Sequence, residues 1–350
     1  MLSRPQAPAF RPFWRIKTPV KLVTFRPTGS DASASGILSK RGRIGAVLES
    51  GRILDFAKVE PRLSGVTMLD VLQQPDVHMP HVGALLSMAA ELPGAALHDP
   101  RRVELHAPVP KPVSLRDGYA FRQHVETARR NRGLEMIPEF DQFPVFYFSN
   151  HLTVIGPGEL RVGRRRLEQL DFELEAFCVI GKTVTNPTLE EADAAIFGYG
   201  VMNDFSARAL QMEEMKLNLG PAKGKDFATA LGPWLVTKDE IEAEGRLVKT
   251  MRGNVIEAAM NAEVNGLEVS RGDLSQMNWT FAQIVQRAAD GVELQPGEVI
   301  GSGTVGTGCF LELNGSKVTQ NQWLKPGDTI SLTIDALGTL THHIVEDVEK

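Results

Sequence analysis

Leu170-Asp171-Phe172-Glu173-Leu174-Glu175-Ala176-Phe177-Cys178-Val179-Ile180 is the stretch from which the rest of the chain is read. It begins with acids alternating with apolar residues and ends in Ala176–Ile180, apolar on both faces. On a strand, side chains two apart share a face, so Asp171, Glu173 and Glu175 are expected to project together. Taken alone, the alternation describes a half-buried strand with a solvated acidic face. The apolar continuation draws the glutamates toward the interior, where a carboxylate needs a cation or a proton. Clustered carboxylates without Cys or His partners suit a hard, oxygen-seeking ion: Mg²⁺, Ca²⁺ or Mn²⁺. No organic cofactor is expected.

Two later segments bring other groups. Asn203-Asp204-Phe205-Ser206-Ala207-Arg208-Ala209-Leu210-Gln211 reads as the start of a helix reaching Asn218, with Asp204 as its N-cap. Asp204, Arg208 and Gln211 then stand at i, i+4 and i+7 on one helical face. By itself this is a capped helix with an intrahelical ion pair of little energetic value. Lys223-Gly224-Lys225-Asp226-Phe227-Ala228-Thr229 follows Gly220 and Pro221 and reads as a basic loop.

The composition narrows the function classes. The chain has 350 residues, 42% hydrophobic and 23% charged, as in a soluble globular protein of one or two domains. A net charge of −5 and a pI near 6.0 speak against general nucleic-acid binding. No apolar run is long enough for a membrane span. Cys178 and Cys309 both sit in apolar runs, which points to buried thiols in a reducing, cytoplasmic setting.

Working outward, residues 1–19 hold Arg4, Arg11, Arg15 and Lys17 and no acid, but Pro5, Pro8 and Pro12 interrupt any amphipathic helix. They read as a disordered basic extension. Residues 20–106 read as a small α+β domain with no evident chemistry. Residues 107–116, containing Ala107-Pro108-Val109-Pro110-Lys111-Pro112, read as a stiff linker. Residues 117–350 form the candidate catalytic domain. It opens with Arg116-Asp117-Gly118-Tyr119-Ala120-Phe121-Arg122-Gln123-His124, read as a helix to about Asn131 with Asp117 as N-cap and His124 on the same face. Asn265-Gly266 signals a hairpin. Met277–Ala289 has the spacing of an amphipathic helix. Gln295-Pro296-Gly297-Glu298 and Lys325-Pro326-Gly327-Asp328 are two similar turns. Between them, Ile300-Gly301-Ser302-Gly303-Thr304-Val305-Gly306-Thr307-Gly308 is rich enough in glycine to let a ligand approach the backbone. Glu312 follows, between two leucines of an expected apolar strand.

Taken in order, Asp-Phe-Glu-Leu-Glu, Asn-Asp-Phe-Ser-Ala-Arg with Gln three residues on, Gly-Lys-Asp-Phe-x-Thr, Gly-Pro-Trp-Leu-Val-Thr and Gly-Ser-Gly-Thr resemble the fumarylacetoacetate hydrolase family over about residues 115–345. The resemblance implies an α+β, mostly β fold: a mixed β-sandwich roll for the catalytic domain, with a small N-terminal α+β domain. It implies a metal-binding homodimer acting on small keto acids and 1,3-diketones. It makes Asp117, Glu173, Glu175 and Asp204 metal ligands, with Thr229 beside them. His124 becomes the general base, Glu312 its orienting partner, and Arg208, Gln211 and Lys225 the oxyanion-stabilising group. Tyr119, Tyr147 and Thr304 match substrate-contacting positions. The family's additional substrate arginine falls on Gly133, with Arg132 next to it, and a substrate tyrosine is replaced by Met215.

The implied activity is hydrolysis of a C–C bond in an acylpyruvate or related diketone, in aromatic-compound or amino-acid catabolism. Substrates of that kind include fumarylacetoacetate, fumarylpyruvate and a diketo deoxy sugar acid. Two rivals remain. One is a β-keto-acid decarboxylase or isomerase on the same metal site, which needs no attacking water. The other is a non-catalytic protein that binds a metal or ligand.

Overall fold

The structure, a computed structural model, describes residues 20–28 and 42–348; the basic extension expected over residues 1–19 lies outside them. The protein is α+β and mostly sheet. Three strands, β1 (Lys21–Pro27), β2 (Arg43–Val47) and β3 (Ile53–Asp55), are followed by helices α1 (Met68–Gln73) and α2 (Pro75–Ser87) and the short strand β4 (Leu97–His98). After the proline-rich segment come β5 (Leu115–Gly118), α3 (Arg122–Arg130), β6 (Phe146–Ser149), β7 (Gly158–Gly163), β8 (Leu170–Asp171) and β9 (Leu174–Ile180). Next are β10 (Ile196–Asp204), β11 (Ser206–Ala207), α4 (Arg208–Met215), β12 (Thr229–Thr237), β13 (Ala259–Val264) and β14 (Leu267–Asp273). The chain closes with α5 (Phe281–Ala288), β15 (Val299–Gly301), α6 (Phe310–Gly315), β16 (Thr329–Ile334) and β17 (Gly338–Asp347).

The larger sheet runs in spatial order β4-β3-β2-β1-β12-β10-β9-β15-β5-β6. β1 pairs antiparallel with β12, so residues on either side of the 107–116 segment share one sheet. That sheet is covered on both faces, which explains why every residue of β9 and β10 is buried. On one face, Phe177, Val179, Phe197, Met202 and Leu231 meet Phe56, Met68, Val71 and Met79 from the lead-in segment. On the other, Leu174, Ala176, Val201 and Ala230 meet Met260, Ala262, Ile330, Leu332 and Leu340 of a second sheet, ordered β14-β13-β16-β17-β7. The expected hairpin at Asn265-Gly266 joins β13 to β14, with both residues at positive φ (54° and 77°), as a two-residue turn of that type requires. The two Pro-Gly turns share one device. The acid closing each turn accepts from the backbone N–H three residues earlier: Glu298 from Gln295 at 2.6 Å and Asp328 from Lys325 at 3.0 Å. No helix among the described residues is long and apolar enough to cross a membrane.

Candidate active site

The site forms where β5 and β10 end and β9 begins, beside α3, α4 and α6. Several residues arrive there by routes other than those expected. Asp117 does not cap a helix. It lies in β5, paired with Gly301 of β15 and with Tyr147 of β6, and α3 begins only at Arg122. The ladder to two neighbours outcompetes the local helix signal. Asp204 is likewise the last residue of β10, in register with Thr229 of β12, and α4 spans only Arg208–Met215. The expected Asp204–Arg208–Gln211 helical face is therefore absent, although Arg208 Nη1 donates to Gln211 Oε1 at 2.9 Å within α4. Glu312 is on α6, not on a strand.

The acidic stretch also divides. The ladder breaks at Phe172 and Glu173, where the Glu173 N–H donates to the Asn203 side-chain oxygen at 3.0 Å. Asp171 leaves with the short β8–β11 ribbon. Carboxylate oxygens of Asp117, Glu173 and Glu175 come within 4.8 Å of one another, all buried, and Asp171 is not among them. Asp171 does other work. Its Oδ1 accepts from the backbone N–H of Phe310 at 2.8 Å, and its Oδ2 accepts from that of Leu311 at 3.0 Å and from Arg208 Nε at 2.8 Å. It thus satisfies two of the unpaired N–H groups at the start of α6 and fixes Arg208. This role was missed in the sequence, where Asp171 counted only as one of three acids on a face.

Two buried cations face the trio. Arg208 Nη2 donates to Glu173 Oε1 at 2.7 Å. Lys225 Nζ donates to Glu173 and, at 2.6 Å, to Asp204 Oδ2, which also accepts from the Tyr147 hydroxyl at 2.5 Å. The glycine-rich segment supplies the third wall. The Gly303 N–H donates to Asp117 Oδ1 at 3.1 Å, and Thr304 Oγ1 to Glu175 Oε1 at 3.2 Å. Gly303 sits at φ 77°, and a Cβ there would come within 2.6 Å of the Gly118 carbonyl oxygen, so only glycine fits. Ser302 ties the segment to β9: its N–H donates to the Ala176 carbonyl at 2.9 Å, and its hydroxyl oxygen accepts from the Ala176 N–H at 3.1 Å.

On the other side, His124 of α3 and Glu312 of α6 are both buried, with His124 Nδ1 2.6 Å from Glu312 Oε2. Against a carboxylate that ring nitrogen carries the hydrogen, so in the neutral imidazole Nε2 holds the lone pair. The Tyr119 ring packs edge-on against His124 at 5.8 Å and against Phe140 at 6.5 Å. Burial lifts the Tyr119 phenol, and the charge of Arg132 pulls it partly back. Arg132 itself is exposed, its Nε donating to the Ala128 carbonyl at 3.0 Å, so it stands at the rim. The Thr229 hydroxyl lies 3.4 Å from Ser149 Oγ, and its backbone is in register with Asp204.

The electrostatics of the acids follow from their neighbours. Burial, with Asp204 nearby, lifts Asp117 to about 7. Burial, then Asp117 and Glu173, push Glu175 far above its ordinary range. Burial raises Asp204 too, with Lys225 offsetting part of the rise. Burial alone would raise Glu173, but Lys225 and Arg208 together outweigh it and hold Glu173 down to about 2. Burial would lower Lys225, but Asp204 and Glu173 keep it charged. Glu175 Oε2 and Asp204 Oδ1 are buried with no hydrogen-bond partner. Oxygen-only donors, acids that resist ionising together and two orphaned carboxylate oxygens are what a hard divalent cation would satisfy.

Residues 114–345 match the family model described as fumarylacetoacetate (FAA) hydrolase C-terminal. The chain belongs to the fumarylacetoacetate hydrolase family. Among curated family members, the oxaloacetate tautomerase YisK of Bacillus subtilis is 29% identical over 328 residues, 89% of this chain and 99% of that protein. The 2,4-didehydro-3-deoxy-L-rhamnonate hydrolase of a Sphingomonas species is 29% identical over 206 residues, 58% of this chain and 65% of that one. Two solved structures share the fold. The fumarylacetoacetate hydrolase of psychrophilic Exiguobacterium antarcticum has a TM-score of 0.66 at 23% identity, covering 94% of this chain and 100% of that one. The maleylpyruvate hydrolase of Sphingobium sp. SYK-6, solved with manganese(II) and pyruvate, has a TM-score of 0.64 at 19% identity, covering 93% and 99%.

The buried charges bear on stability in two ways. Asp171→Asn keeps the volume but leaves Arg208 short of an anion; urea unfolding is expected to show a loss of about 3–5 kcal/mol, and a loss under about 1 kcal/mol would mean that Asp171 is not the anchor. The second concerns pH. Asp117 and Glu175 bind protons more tightly folded than unfolded, so without a cation their contribution is full below about pH 4; that of Asp117 declines as pH rises to about 7, and that of Glu175 declines in the same direction. Glu173 acts in the opposite sense, but lower: its contribution is present above about pH 4.5 and is lost as pH falls toward 2. The rise in melting temperature on adding Mn²⁺ to EDTA-treated protein should therefore grow between about pH 5 and 8. A shift that is flat or shrinking across that range would contradict the account.

Proposed function

We propose that the protein is a metal-dependent hydrolase that cleaves a C–C bond in an acylpyruvate or related 1,3-diketo acid. The observation that carries this reading is the His124–Glu312 pair beside the Asp117–Glu173–Glu175 trio. A site that only polarised a keto acid for decarboxylation would have no need of a buried, carboxylate-oriented imidazole facing it.

In this reading Asp117, Glu173 and Glu175 hold the divalent cation, with Asp204 adjoining. When bound, that cation supplies Lewis acidity to the diketo oxygens of the substrate. Mg²⁺, Mn²⁺ and Ca²⁺ all suit oxygen donors. His124 takes a proton from water at Nε2, and Glu312 steadies the resulting imidazolium through Nδ1–H. The water oxygen adds to the distal carbonyl. Lys225 has three N–H donors, two of them engaged by Glu173 and Asp204; the third remains for the oxyanion that develops. Arg208 has five N–H donors and spends three on Asp171, Glu173 and Gln211, so two remain. Gln211 and Glu173 thereby aim the guanidinium. As the tetrahedral centre collapses, the C–C electron pair passes to the leaving carbon, which takes up a proton as the second product departs. Tyr119, Tyr147 and Thr304 line the substrate's approach, and Arg132 at the rim is placed to meet an anionic acyl end.

A second reading has an observation of its own in favour. The oxaloacetate tautomerase YisK is similar over 89% of this chain, and tautomerisation needs only the transfer of a proton between carbon and oxygen. The two readings separate by product. With Mg²⁺ or Mn²⁺ present, acylpyruvates and fumarylacetoacetate should be cleaved to two acids, activity should vanish with EDTA, and His124→Ala and Glu312→Gln should each lower kcat by about 10²–10⁴-fold. Interconversion of keto and enol oxaloacetate without cleavage of any diketo acid would overturn the hydrolase in favour of the tautomerase.

A further inference from the structure

A second set of metal-ligating atoms lies beside the first. One imidazole nitrogen of His124, the sulfur of Cys309 and one carboxylate oxygen of Glu312 are within 4.8 Å of one another, and all three side chains are buried. The donor chemistry differs from that of the trio. Three carboxylates select hard cations, whereas nitrogen, sulfur and oxygen together are a zinc set. The hydrolytic mechanism uses His124 and Glu312 but has no task for Cys309.

The three residues are held by rigid elements. Cys309 immediately precedes α6 and Glu312 stands one turn further on, so the thiol and the carboxylate gather at the same end of the helix. Asp171 anchors that end through the Phe310 and Leu311 N–H groups. α3 brings His124 and is tied to α6 by Asn131, whose side-chain amide donates to the Glu312 carbonyl at 3.3 Å and to Ser316 Oγ at 3.2 Å. Burial, then Asp171, push the Cys309 thiol well above its ordinary range, so it does not act as a free thiolate nucleophile.

We propose that His124, Cys309 and Glu312 form a second, inhibitory metal site selective for zinc and similar thiophilic divalent ions. Three protein ligands and one water complete a tetrahedron. Coordination replaces the Cys309 S–H proton, which passes to solvent. Whichever imidazole nitrogen is ligated, His124 ceases to be a base: one supplies the lone pair that takes the proton, the other the hydrogen bond that orients the ring. Inhibition thus rests on the proposed role of His124, while the site itself does not.

The test uses the full chain saturated with Mg²⁺, so that the trio is occupied, titrated with Co²⁺ as a spectroscopic stand-in for zinc. Wild type should take up one equivalent with a thiolate-to-cobalt charge-transfer band, and Zn²⁺ should bleach the band. Cys309→Ser should lose it, and His124→Asn should weaken binding at least about tenfold. Should Cys309→Ser fail to fold, the wild-type band and the His124→Asn titration still decide. A wild type without the band overturns the proposal. So does a band that survives in Cys309→Ser, since it would come from Cys178, the other buried thiol. Turnover of a diketo acid with Mg²⁺ alone, followed by no band on cobalt titration, sinks the zinc site and leaves the hydrolase; a cobalt band in a protein that shows no turnover with Mg²⁺ alone does the reverse.

Discussion

Five carboxylates (Asp117, Asp171, Glu173, Glu175 and Asp204) and two cations, Arg208 and Lys225, are buried together at one end of the larger sheet. That imbalance is the constraint on which the rest of the site depends. A lone buried charge is severely disfavoured, so the surplus negative charge must be met by protons or by a bound cation. The protein alone answers with protons, which is why Asp117 and Glu175 are pushed upward while Glu173, held between Lys225 and Arg208, stays ionised. A divalent ion would replace those protons and satisfy the orphaned oxygens of Glu175 and Asp204.

The fold makes the arrangement rigid. β9 and β10 run through the core with apolar cover on both faces, so the acids at their ends cannot relax toward water. Asp171 couples the two halves of the chemistry. It starts the helix that carries Glu312, and it holds the guanidinium that reaches Glu173. The His124–Glu312 pair and the carboxylate trio therefore share one buried anchor.

Much of this was legible in the sequence, but unevenly. The acid-apolar alternation before Ala176-Phe177-Cys178-Val179-Ile180 marked the entry of acids into a core, and the ordered motifs identified the family and its mostly β fold. The local backbone around the acids was misread for a common reason. Asp117, Asp204 and Glu312 each sit in segments whose neighbours decide their conformation. Asp117 and Asp204 look like helix caps, but ladders with β15 and β12 claim their backbones. The leucines flanking Glu312 look like a strand, but a carboxylate 139 positions earlier caps Phe310 and starts a helix instead. No window of sequence contains that contact. Lys225 read as part of a basic loop because its partners Glu173 and Asp204 lie 52 and 21 positions away.

The most direct test of the central claim is a crystal structure of the protein grown with Mn²⁺, with the ion located by its anomalous scattering. The account predicts one strong peak bonded to carboxylate oxygens of Asp117, Glu173 and Glu175, at the roughly 2.0–2.6 Å typical of hard cations. No peak there, or manganese bound only elsewhere, would contradict the claim that the buried acids are a cation site.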